Sequence, residues 1–186
     1  MSLKITFMEL KTDNLVLTER TKTIFSLLER GRKQGSDLVM LPLFTNIQEL
    51  EDLIAADNGF LRGTNDYPDI FLLLGGFVRK RHTYLLVSEG KIYSRLLLDK
   101  ANTAAKLGNI KNWNLILSLA PPKESSNQTL VIYINSSATN LASLKSQKTA
   151  HLFLTNSASK SPFLYYQGHK TDFSRTRTKA YSFCLE

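Results

Sequence analysis

Three histidines, one cysteine and a few clustered carboxylates are the groups in this 186-residue chain best suited to chemistry. A bound metal needs several His, Cys or carboxylate ligands brought together. His82, His151 and His169 are scattered along the chain without a helical i, i+4 pair, so no metal site is expected. Gly75-Gly76 closes an apolar run, where backbone N–H groups can cradle a phosphate. Neither GxGxxG nor GxxxxGK[ST] is present, however, so the pair reads as a strand-ending turn and no cofactor is expected. The GxSxG elbow of a serine hydrolase is absent as well. Cys184 sits among Tyr181, Phe183 and Leu185 and reads as a buried structural thiol rather than a nucleophile. Glu49, Glu51 and Asp52 fall on the polar side of an amphipathic segment and read as solvated.

The elements that must position these groups alternate between strand and helix patterns. Leu3 to Phe7 alternates as a strand. Leu17, Ile24, Leu27, Leu28 and Gly31 make one stripe of a helix over 15–33, with Asp13 or Asn14 as its cap and Gly35 as its stop. Asp37 to Pro42 is a continuous apolar run closed by proline, the mark of a strand buried on both faces. Asn46 with Glu49 is an Asn version of the capping box, opening a helix through Ile54. The Gly- and Asn-rich stretch 58–68 reads as a loop. Ile70 to Leu74 is a further buried strand, and Thr83 to Ser88 and Lys91 to Leu98 flank Glu89-Gly90 as a hairpin. Strands are expected at 115–119, 130–134 and 151–155, a loop at 121–128 and a short helix around Leu141 and Leu144. Phe163 to Tyr166 and Tyr181 to Leu185 are weaker strand candidates. The order implies a mixed-sheet α/β sandwich.

Composition bounds the rest. A chain that is 42% hydrophobic and 22% charged is globular and long enough for one domain, expected over 1–186. A single cysteine excludes an internal disulfide and suits a reducing, cytoplasmic setting. No run approaches the ~18 apolar residues of a membrane helix, so no membrane is expected as a partner. Glu9 and Lys11 break any signal-peptide apolar segment. The net charge of +8 divides into −3 over residues 1–70 and +11 over 71–186. A basic second half suits nucleic acid or an acidic partner, or simply a solvated surface.

The fixed order of an N-terminal strand, a long helix ending in KQGSDLVMLP, a strand into LLLGGFVRK and the hairpin TYLLVSEGKIYSRLLL resembles the carbon–nitrogen hydrolase (nitrilase/amidase) superfamily. TLVIYINSS and TAHLFLTNSAS extend the similarity, which spans about 3–158 and leaves 159–186 as a divergent basic tail region. The resemblance implies a nitrilase-like αββα fold with a truncated C-terminal part. It also implies a mechanism in which a glutamate deprotonates a cysteine and a lysine steadies the oxyanion. At the glutamate position stands Leu43, after Leu41-Pro42, and at the cysteine position Asn135, after Ile134. The lysine position falls near Leu98, with Lys100 two residues beyond, on the same strand face and turned inward. Leu43 and Asn135 should end adjacent strands and face a common pocket, with Lys100 at its rim.

Leucine takes no proton and an asparagine amide is no nucleophile at neutral pH. The resemblance therefore implies a catalytically inactive nitrilase-like domain, a pseudoenzyme serving as a binding or assembly module. Homo-oligomers, dimers above all, or complexes with a protein partner are the expected assemblies. Two alternatives stay open. One is an amide hydrolase with relocated groups such as Glu9, Lys100 and Cys184. The other is a nucleic-acid-binding protein using Arg79, Lys80, Arg81, Lys170, Arg175, Arg177 and Lys179, whose affinity would fall steeply with salt.

Overall fold

The computed structural model describes residues 2–8, 15–55, 58–78, 81–119, 128–134, 148–154, 161–173 and 180–186. These fall into two compact units, Ser2–Leu97 with Arg177–Glu186, and Leu98–Thr176. Each unit is built on a six-stranded mixed sheet, and among the described residues the helices belong to the first.

The first unit contains β1 (Leu3–Met8), α1 (Leu17–Gln34), β2 (Leu38–Asn46), α2 (Ile47–Ala55), α3 (Asn58–Gly63), β3 (Phe71–Val78), β4 (Arg81–Ser88), β5 (Lys91–Leu98) and, from the far end of the chain, β12 (Ala180–Leu185). Its sheet runs β12-β1-β2-β3-β4-β5. The pairs β1–β2 and β2–β3 are parallel, as strands joined through helical crossovers must be. Helix α1 buries the stripe read from the sequence, Ile24, Leu27 and Leu28, against Val39, Leu41, Leu72 and Leu74. It ends at Gly35, whose φ of 65° is the left-handed conformation that glycine adopts without strain.

The second unit holds β6 (Ala104–Ile110), β7 (Trp113–Ser118), β8 (Thr129–Ile134), β9 (Thr149–Leu154), β10 (Phe163–Tyr166) and β11 (His169–Asp172). The order is β11-β10-β9-β8-β7-β6, with β7, β8 and β9 parallel and hairpins at both ends. Every residue of β8 and β9 is buried, the pattern expected of a strand covered on both faces. Tyr133, Phe153 and Phe163 stack across three neighbouring strands with centroids 4.4 and 4.5 Å apart.

Several expectations need correction. Helix α1 starts at Leu17 behind Val16, which offers no side-chain cap; Asp13 and Asn14 lie outside the described residues. Pro42 does not close β2, because the strand shifts register between Leu41 and Thr45 and runs on to Asn46. A bulge is where a sheet tolerates a proline. The stretch 58–68 is not all loop: α3 and a 3-10 turn over Thr64–Asp66 form because Phe60 and Leu61 pack into the core. Gly75-Gly76 lies inside β3 rather than ending it. Strands β6 and β11 went unread, since AAKLGNI and HKTD carry little apolar alternation. The helix expected around Leu141 and Leu144 and most of the loop at 121–128 lie outside the described residues. The tail region 159–186 supplies three strands, including the two weaker candidates.

Candidate functional site

The end of β2 occupies the place where the resemblance puts a glutamate. Gly75 lies beside it because a side chain there would run into the carbonyl of Pro42 and come within 2.9 Å of Tyr84 Cε1. The backbone of Leu43 lies in the irregular stretch between Leu41 and Thr45; its side chain is outside the described set. Just beyond, the Asn46 carboxamide oxygen accepts the Glu49 backbone N–H at 2.9 Å and caps α2.

The first carboxylate after Leu43 in the chain is Glu49, and it is engaged on several sides. It accepts a hydrogen bond from Thr45 Oγ1, and the guanidinium of Arg20, nearly buried in the first turn of α1, reaches its Oε1 at 2.6 Å. Burial works against the charge. The bonds from Thr45 and Arg20, the Arg20 charge and the Asn46 backbone outweigh it and hold the carboxyl below its usual range. A carboxylate so stabilised is a poor proton acceptor and a good tie between α1 and α2. The expectation that Glu49 and Glu51 are merely solvated is thus corrected, since Glu51 pairs with Arg95. The capping box was legible; the Arg20 partnership was not, because nothing in the spacing couples the two helices.

Leu98, where the lysine was counted, ends β5 and is fully buried. Lys100 is exposed in the turn that follows. There Asp99 Oδ1 accepts the N–H groups of Ala101 and Asn102 at 2.8 and 2.9 Å. The strand alternation invoked to turn Lys100 inward stops two residues short of it. Asn135 directly follows β8 and lies outside the described residues. The strands expected to be adjacent are not neighbours: β2 lies between β1 and β3 in one sheet, and β8 between β7 and β9 in the other.

Cys184 is exposed, not buried; β12 alternates and turns Leu185 inward in its stead. Glu9 lies outside the described residues, as do Arg79, Lys80, Arg175, Arg177 and Lys179. Arg81 is exposed, while Lys170 pairs with Asp172 at 2.7 Å and lies 4.8 Å from the Phe163 ring centroid. His169 is exposed on β11. Among the described residues no three His, Cys, Asp or Glu side chains converge as a metal site would require. His82 stacks on Tyr84, with Nδ1 3.5 Å from the phenol oxygen, and His151 meets Tyr133 in the other sheet. No helix is long and apolar enough to cross a membrane among the described residues.

The whole arrangement is similar to solved structures. An amidase from Nesterenkonia sp. AN1, with acrylamide added to its active-site cysteine, matches at a TM-score of 0.62 and 12% identity, over 99% of this chain and 92% of that one. The glutamine-dependent NAD+ synthetase of Acinetobacter baumannii matches at 0.59 and 10% identity, over 100% of this chain. That of Cytophaga hutchinsonii matches at 0.59 and 12% identity, again over 100% of this chain. The fold is nitrilase-like. The chain spans 46% and 43% of the two synthetases. No protein-family model and no curated protein matches the sequence. The likeness is one of mixed α/β architecture and strand order, at 10–12% identity.

Proposed function

We propose that this chain is a catalytically inactive nitrilase-fold domain acting as a binding or assembly module. What supports the reading is the residue types at the positions that the resemblance pairs with the family's motifs: Leu43, Asn135 and Lys100, the last counted near Leu98. Amide or nitrile hydrolysis by this route needs a base near neutral pKa, a nucleophile and a fixed positive charge or donor at the developing oxyanion. Leucine and asparagine supply neither the base nor the nucleophile. Lys100 is exposed in a turn, and Glu49, the first carboxylate after Leu43, is committed to Arg20 and Thr45.

The test is turnover. Purified full chain, incubated with a panel of aliphatic and aromatic amides and nitriles, should release no ammonia above the buffer rate. Alkylating Cys184 should change nothing. Robust hydrolysis that is lost both on alkylation and in Cys184→Ala would overturn the reading in favour of relocated catalytic groups.

A further inference from the structure

Of the four large apolar side chains exposed among the described residues, three lie on one strand: Ile92, Tyr93 and Leu97 of β5, which are 38%, 53% and 49% exposed. That strand ends the first sheet. An edge strand offers a row of backbone N–H and C=O groups to any further strand, and an apolar edge favours its addition. What the added strand must look like follows from the charges. Lys91 and Arg95 are its cations. Arg95 is bonded to Glu51 of α2, and the Tyr93 hydroxyl donates to Glu89 at 3.5 Å.

We propose that β5 pairs antiparallel with β5 of a second copy of this chain about a twofold axis through Ser94, joining two six-stranded sheets into one of twelve. The proposal deepens the assembly half of the function above and rests on that reading.

The register follows from elementary rules. Alternate residues of an edge strand point their backbone groups outward, so a twofold pairing must place the axis at a residue, not between two. With Tyr93 on the axis, Lys91 opposes Arg95; with Arg95 on the axis, the two guanidinium groups oppose each other. Like charges directly opposite are destabilising. An axis at Ile92 or Leu96 leaves only a short overlap inside the strand. Ser94 on the axis sets Ile92 against Leu96, Tyr93 against Arg95 and Lys91 against Leu97. That register pairs apolar with apolar, lays each guanidinium on the opposing phenol ring and brings no two cations face to face. Glu89 and Asp99 meet only beyond the strand ends, where Tyr93 and the N–H groups of Ala101 and Asn102 already engage them.

The interface is isologous, so one substitution acts twice. Sedimentation of the full chain over a concentration series should reveal a dimer. Leu97→Glu faces Lys91 of the other copy and should tighten it, while Leu97→Lys sets two lysines together and should weaken it, each by roughly fivefold or more from two cross-strand pairs. Both variants put a charge on the same exposed position, so equal melting temperatures at dilutions where each is monomeric separate association from folding. In a Cys184→Ser background, Ser94→Cys should oxidise to a covalent dimer, since directly opposed residues fall within disulfide reach. Wild-type chain that stays monomeric at high micromolar concentration overturns the proposal and leaves the edge to an extended peptide of another protein. A dimer indifferent to both charge variants overturns it in favour of another face. A dimer in a chain that hydrolyses amides would sustain this pairing while refuting the inactive-module reading, and a monomer without turnover would do the reverse.

Discussion

The Tyr133 hydroxyl lies 2.9 Å from Nδ1 of His151, on neighbouring parallel strands with both rings buried. Burial pushes the Tyr133 phenol above its ordinary range and holds His151 down at about 4. Both partners are therefore neutral at pH 7 and share one proton between oxygen and nitrogen. In the unfolded chain His151 titrates near 6.5. As pH falls below that value, the unfolded state takes up the proton first, and the stability present above pH 6.5 drains away until about pH 4. Denaturant melts at pH 7 and pH 4 should show the wild type losing about 3 kcal/mol more than His151→Leu, with His82, also lowered by burial, adding to both losses alike. Parallel pH profiles in the two proteins would contradict this.

Gly75→Ala should be severely destabilising. The added methyl meets backbone at Pro42, which cannot swing aside as a side-chain tip does. A loss of about 3 kcal/mol or more is expected, read as a fall in melting temperature or as insoluble protein. Gly76→Ala should cost less, because its methyl meets the movable Leu50 Cδ2 at 2.9 Å and comes no nearer to backbone than 3.2 Å, at Ile47 Cα.

Breaking the tie between α1 and α2 from either side leaves a partner without its counter-charge. Arg20→Met should cost about 2 kcal/mol, and Glu49→Gln a comparable amount. The double variant should cost clearly less than the two singles added together, since the orphaned charge is then gone. The Glu49 contribution is present above the ordinary carboxylate pKa of about 4.5 and lost as pH falls through its lowered value. Glu49→Gln should therefore flatten the acid limb of the stability profile.

Asn46→Ala removes the oxygen that accepts the Glu49 N–H and should cost about 1 kcal/mol. Asn46→Ser should recover most of that. Equal melting points for the alanine variant and the wild type would show that the cap contributes nothing.

Patterns that depend on neighbours along the chain were legible. The stripe of α1, the Asn46–Glu49 cap, the Glu89-Gly90 hairpin and the buried runs of β2, β3, β8 and β9 are all local signals, and strand order carried the nitrilase likeness. Features set by distant partners were not. Pro42 looked like a terminus because only Gly75, thirty-three positions on, makes room for the strand to continue past it. Arg20 gave no sign of meeting Glu49, nor Tyr133 of meeting His151. Cys184 was misjudged because its apolar neighbours suggested a core, whereas pleat alternation alone decides which of Phe183, Cys184 and Leu185 turns inward.

Strand β12 pairs along its whole length with β1, Leu3 against Leu185 through to Met8 against Ala180. The second unit, Leu98–Thr176, is thus spliced into the middle of the first. On the ribosome, residues 98–176 emerge whole before the last strand of the first sheet has been made. The inserted unit can mature on the way out, while β1 waits with one flank bare until residues 180–185 arrive. A translational pause between Thr176 and Leu185 would expose that flank to any extended chain nearby, so the nascent protein is most vulnerable to misassembly in that interval.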